Sequence, residues 1–120
     1  MYIFSFEKLE VWKEATSLCK KIYTLTENFP SSEKFGLISQ LRRASVSISS
    51  NLAEGTSRTT NKDKAHYTTI AYSSTMEVLN QLILAKELEF LSEESYNKLR
   101  TSIYKITNML NALRKAQLNS

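Results

Sequence analysis

Two glycines and one proline in 120 residues leave this chain few places to turn. Average usage is about 7% glycine and 5% proline. A β-sandwich or barrel needs a turn signal about every 8–12 residues, so an all-β fold is excluded. A chain of this length also has material for one hydrophobic core rather than two. Residues 1–120 are therefore read as a single domain made of long helices.

The apolar spacing agrees. In the first predicted helix, residues 6–27, Leu9, Trp12, Ala15, Cys19, Ile22 and Tyr23 recur at helical intervals. Phe29-Pro30 ends it, because proline lacks an N–H and disfavours helical geometry in the residue before it. Ser32 is the expected cap of a second helix over 33–54, with Ile38, Leu41, Ser45, Ile48 and Leu52 on one stripe and Gly55 as a left-handed stop. Thr60 or Asn61 then caps a third helix over 62–90, whose expected core stripe is Ala65, Thr69, Tyr72, Met76, Leu79, Ile83 and Lys86. Ser92 with Glu93 and Glu94 starts the last, 93–116, where Tyr96, Leu99, Ile103, Ile106, Leu110 and Leu113 form an unbroken heptad seam. Four helices on short connections predict an all-α, antiparallel up-and-down four-helix bundle.

Composition narrows the chemistry. Cys19 is the one cysteine and His66 the one histidine. Their expected roles are a small core residue and a surface ring. There is no glycine-rich phosphate loop, no HExxH and no Glu-x-x-His pair, so no enzyme, metal or cofactor is expected. The apolar start, Met1 to Phe6, reaches Glu7 and Lys8 at once and lacks the pattern of a signal peptide. No stretch suits a bilayer, and the expectation is a cytoplasmic protein without membrane contact.

Sixteen basic residues against twelve acidic ones give a net charge of +4. Residues 1–60 and 61–120 each hold eight basic and six acidic side chains, so neither half of the sequence is the basic one. No acidic residue follows Glu94, whereas Lys98, Arg100, Lys105, Arg114 and Lys115 do. Arg114 and Lys115 also suit the negative end of the last helix. The positions expected to neutralise phosphate are Arg42, Arg58, Lys62, Lys64, Lys98, Arg100 and Lys105.

The second predicted helix carries a polar stripe beside its apolar one. Gln40, Arg43, Ser47, Asn51 and Glu54 fall within about 80° of one another at 100° per residue. A solvated face is commonly Glu and Lys, whereas this one is built of directional hydrogen-bonding groups, so a specified polar network and a solvated face both stay open. Glu77, the one acid between Ala65 and Ala85, is the expected partner of Arg43 or Asn51. Arg43 is accordingly reserved for structure and left out of the phosphate set.

The block Gln40-Leu41-Arg42-Arg43-Ala44-Ser45-Val46-Ser47-Ile48-Ser49-Ser50-Asn51-Leu52-Ala53-Glu54-Gly55 resembles the signature of a bacterial four-helix bundle family. That family comprises proteins encoded in intervening sequences of large-subunit rRNA genes. The block is also similar to the accessory variability protein of diversity-generating retroelements. Phe6, Leu9, Val11, Trp12, the Phe29-Pro30 turn with Glu33, and Ala71, Ser74 and Glu77 fit the same pattern. Ser73 departs from it, standing where the family usually has glycine. The resemblance implies an up-and-down bundle that assembles into a homopentamer, with a basic surface meeting RNA or DNA and no enzymatic activity. Tyr2, Phe4, Phe6 and Trp12 exceed what one bundle stripe needs, which agrees with a covered neighbour. The rival expectation is a protein-interaction scaffold, for example for a reverse transcriptase, with nucleic-acid binding incidental.

Overall fold

The computed structural model describes residues 1–120. Four α-helices, α1 (Glu10–Thr26), α2 (Ser39–Thr56), α3 (Asn61–Glu87) and α4 (Glu93–Leu118), make up the chain, with no strand. Cross-helix contacts fix the topology. Arg42 reaches Thr26, Gln81 reaches Gln40, Thr68 reaches Gln117 and Lys105 reaches Glu14. Each helix therefore runs antiparallel to both neighbours, in an up-and-down bundle 45 Å long.

The core follows the apolar periodicity in three helices. Val11, Ala15, Leu18 and Ile22 of α1 meet Leu41, Ala44, Ile48 and Leu52 of α2, and all of these are buried. The α4 seam is buried from Tyr96 to Leu110, and Leu113 is half-buried at its end. Burial of each such leucine or isoleucine contributes about 1.5–3 kcal/mol. Hydroxyls inside the core are satisfied locally: Thr26 donates to Ile22 O at 2.7 Å and Thr75 to Ala71 O at 2.8 Å.

Helix α3 departs from the expected stripe. Its buried residues are Ala65, Thr68, Ala71, Ser74, Thr75, Val78, Gln81, Leu82 and Ala85. Of the stripe expected from the sequence, Ala65 is buried, Thr69 and Met76 are exposed, and Tyr72, Leu79, Ile83 and Lys86 are half-buried. The helix is rotated by about one residue, some 100°, from that expectation. Small side chains explain it, since Ala71, Ser74 and Thr75 facing inward let α2 and α3 approach closely. Ser47 and Ser74 accordingly share a 2.9 Å hydrogen bond between hydroxyls.

Gly55 belongs to this close approach. It is buried within α2 and has no positive φ, so it is not the left-handed stop that its position after Glu54 suggested. A Cβ built there would stand 2.9 Å from the Cβ of Tyr67. The left-handed residue is instead Glu89, φ 64°, after α3. Glu89 N donates to Lys86 O at 3.0 Å and Phe90 N to Ala85 O at 2.9 Å, the pair of bonds that closes a Schellman cap. This stops α3 at Glu87 rather than at Phe90, and turns the Phe90 ring toward Phe29 with centroids 5.8 Å apart.

The starts of two helices also shift. Residues Ser5–Lys8 form a 3₁₀ turn and Leu9 is extended, so α1 begins at Glu10. Ser31–Glu33 form another such turn, followed by a wide turn over Lys34–Ile38 before α2. Ser32 is not the cap there; the Glu33 carboxylate accepts from Leu37 N at 3.2 Å. Thr60 and Ser92 do cap α3 and α4, accepting from Asp63 N and Ser95 N at 3.1 Å each.

Candidate nucleic-acid interface

One end of the bundle collects the last turn of α2, the first turns of α3 and the last turns of α4. Three contacts hold it together. Asn61 Nδ2 donates to Ser120 O at 2.9 Å, Thr68 Oγ1 to Gln117 Oε1 at 2.7 Å, and Arg114 Nη1 reaches Thr69 Oγ1 at 3.5 Å. The Arg58 guanidinium lies over the Tyr67 ring, 4.6 Å from its centroid, and donates to the Tyr67 hydroxyl. Glu54 stands 3.6 Å from the same guanidinium. Tyr67, already fixed by its approach to Gly55, thus acts as a platform that orients Arg58.

Arg58, Lys62, Lys64, Arg114 and Lys115 meet at this end, against Glu54 and Asp63. Lys62, Arg114 and Lys115 are exposed and Lys64 is half-buried. Of the five cations only Arg58 is ion-paired. The N-terminus of α3 opens here and adds its own partial positive charge. The arrangement offers several free cations and a helix N-terminus to a run of phosphates.

The remaining expected phosphate ligands stand elsewhere. Arg42 is built into the α1–α2 seam: its Nε donates to Thr26 Oγ1 at 2.9 Å, its Nη2 to Tyr23 O at 3.2 Å, and it covers the Tyr23 ring at 4.6 Å. It closes the end of α1, where carbonyls lack helical partners. Lys98 and Arg100 lie at the opposite end of α4, about 25 Å from Lys115 at 1.5 Å per residue. Lys98 pairs with Glu94 at 3.4 Å and Arg100 donates to the Tyr96 hydroxyl at 2.6 Å. Lys105 bridges α4 to α1 through Glu14 at 2.8 Å, and that hydrogen bond, with the carboxylate's charge, raises its pKa.

The polar stripe of α2 resolves into separate contacts. Asn51 Nδ2 donates to Ser47 O at 2.8 Å and to Ser47 Oγ at 3.0 Å, and Ser47 meets Ser74. Gln81 Nε2 lies 3.4 Å from both Gln40 Oε1 and Glu77 Oε2, while its buried Oε1 has no partner. Glu54 belongs to Arg58 instead. The expected Arg43–Glu77 pair is not formed: both side chains are exposed, and Arg43 makes no ion pair or side-chain hydrogen bond. The two adjacent arginines exchange their expected roles, Arg42 being the structural one and Arg43 the free one.

The sequence singles out neither Tyr67 nor, among the acid-free basic residues of the last helix, Arg114 and Lys115 as phosphate ligands, since those two also suit the helix dipole. Their link to Arg58 depends on the antiparallel return of α4, which no local spacing encodes. His66 is exposed, with its ring centroid 5.9 Å from that of Tyr67. Cys19 is half-buried and its sulfur accepts from the Ser45 hydroxyl at 3.4 Å. No group of three or more His, Cys, Asp or Glu residues is arranged to hold a metal ion. No helix is long and apolar enough to cross a membrane.

Fold and site together define a small all-helical bundle with a cluster of unpaired cations at one end. The chain belongs to the 23S rRNA-intervening sequence protein family, whose model matches residues 7–112. It is similar in fold to a crystal structure of a protein with unknown function from the S23 ribosomal protein family of Bacteroides thetaiotaomicron. That likeness has a TM-score of 0.78 at 21% sequence identity and covers 88% of this chain and 98% of the other. No curated protein matches this chain.

Proposed function

We propose that this chain is a non-enzymatic, self-associating bundle that binds structured RNA or DNA through phosphate contacts. The observation that carries the reading is the basic end, where Lys62, Lys64, Arg114 and Lys115 stand without ion partners beside an oriented Arg58. Family membership agrees with it, because the family is named for intervening sequences of 23S rRNA. Arg43 joins the free cations, and Arg42 leaves them. Self-association has its own support in α3, where polar Thr68, Ser74 and Gln81 face inward while Met76, Leu84 and Leu88 are 36%, 45% and 55% exposed. The homopentamer implied by the resemblance would repeat the basic end around its axis and sum the field.

The test is a titration into structured RNA and duplex DNA at several salt concentrations, with the mass in solution from light scattering. Neutralisation of five phosphates per subunit gives a log–log salt slope of about −4.5 per subunit on duplex DNA. A mass above that of one chain and a steep slope are expected. No binding near physiological salt would overturn the nucleic-acid reading in favour of a scaffold for a protein partner, a reverse transcriptase included.

A further inference from the structure

The helices pack unevenly around the bundle, α1 against α4 being the loosest neighbouring pair. Between the C-terminal half of α1 and the first turns of α4 this leaves an open cleft of about 460 Å³. Such a volume falls within the about 300–1,000 Å³ of small-molecule sites. Lys20 and Lys21 from α1 and Lys98 from α4 line it, with Asn28 beside them and Leu25 and Leu99 contributing its apolar surface. No carboxylate is among the lining residues. Lys20 and Lys21 are not ion-paired, and Lys98 has only Glu94, in a pair whose members are 77% and 82% exposed. An exposed pair of this kind contributes little and yields readily to a better anion.

The cleft lies at the other end of the bundle from the basic cluster, beside the first turn of α4. Three ammonium groups around an apolar floor ask for a ligand with one anionic part and one flat apolar part. From this we infer that the α1–α4 cleft binds a nucleotide unit, its phosphate held by Lys20, Lys21 and Lys98 and its base laid on Leu25 and Leu99. Asn28 supplies an amide for the base edge. The unit is either a free mononucleotide or an unpaired nucleotide of a bound strand; only the second rests on the nucleic-acid function proposed above.

Methyl NMR of Leu25 and Leu99 in the full chain tests this, with adenosine 5′-monophosphate, adenosine, inorganic phosphate and a short single-stranded oligonucleotide as probes. Adenosine monophosphate should shift both leucines and bind at least tenfold more tightly than adenosine or phosphate alone. K21Q/K98Q should weaken it at least tenfold without altering the remaining spectrum. R58E/K62E, at the opposite end, should leave mononucleotide binding unchanged while weakening structured RNA, which separates failure of the cleft from failure of the basic end. An oligonucleotide that shifts the leucines at lower concentration than the mononucleotide assigns the strand as the source, and the reverse order assigns the free nucleotide. Leucines unmoved at millimolar mononucleotide, or phosphate alone equalling it, would overturn the inference.

Discussion

The two ends of the bundle differ in charge, although the two halves of the sequence are equal. At one end Arg58, Lys62, Lys64, Arg114 and Lys115 outnumber Glu54 and Asp63; near the other Glu87, Glu89, Glu93 and Glu94 are interspersed with Lys86, Lys98 and Arg100. Each half of the chain is a helical pair that reaches both ends, so its charge averages out. Only the antiparallel fold sums Arg58 with Arg114, residues far apart in sequence, into one field. A charge count along the chain is therefore the wrong projection for a bundle, where the useful one is along the helix axis.

The contrast can be broken first at Gly55. Gly55→Leu puts a side chain where even a Cβ would meet Tyr67, and the overpacking should cost about 1–3 kcal/mol in chemical denaturation. Because Tyr67 carries Arg58, nucleic-acid affinity should fall in the fraction that still folds. An unchanged denaturation midpoint would mean that α2 and α3 do not approach as closely as the 2.9 Å separation at Gly55 requires.

Charge exchange tests the ends directly. R58E/K62E should weaken structured-RNA binding at least tenfold, about 1.4 kcal/mol, and flatten its salt slope. E93K/E94K adds as much positive charge at the other end and should leave the slope nearly unchanged. If net charge alone governed binding, the second variant would bind more tightly with a steeper slope, and the distinction between the ends would carry no function.

The caps sharpen the comparison by showing where the ends agree. Thr60 opens α3 at the basic end and Ser92 opens α4 at the other, each accepting one backbone N–H at 3.1 Å. Thr60→Ala and Ser92→Ala should each cost about 1 kcal/mol, read from thermal or chemical unfolding. Only Thr60→Ala should also lower RNA affinity, because it loosens the turn that presents Lys62 and Lys64.

Elements governed by local rules were legible. The α4 seam, the Thr60 and Ser92 caps and the up-and-down topology follow from spacing, capping chemistry and short connections. What could not be read depends on how two helices meet. The α3 stripe was misplaced because large residues such as Tyr72 and Met76 outweigh Ala71 and Ser74 in a hydrophobic count, whereas close packing selects the small ones. Gly55 has the sequence position of a helix stop, yet its lack of a side chain serves contact with Tyr67. Arg42 and Arg43 are adjacent and chemically identical, and only the position of α1 decides that Arg42 closes its C-terminus. The basic end was half legible: Arg58, Lys62 and Lys64 cluster in sequence, while Arg114 and Lys115 join them only after the chain has returned.

The smallest effect lies midway between the ends, where Lys105 ties α4 to α1 through Glu14 at 2.8 Å. The Glu14 hydrogen bond, then its charge, raise the Lys105 pKa above its ordinary 10.5. A cation whose pKa is higher folded than unfolded binds its proton more tightly in the folded state. Its contribution is thus complete below pH 10.5 and is lost as the pH rises through the higher folded value. Lys105→Met should lower the melting temperature slightly and evenly across neutral pH, the difference closing only in strong alkali and shrinking with added salt. RNA affinity at moderate salt should not change, because this lysine is engaged by its own carboxylate and lies away from the basic end. A loss of affinity matching that of R58E/K62E would instead extend the phosphate-binding surface along α4 and erase the difference between the ends as the basis of recognition.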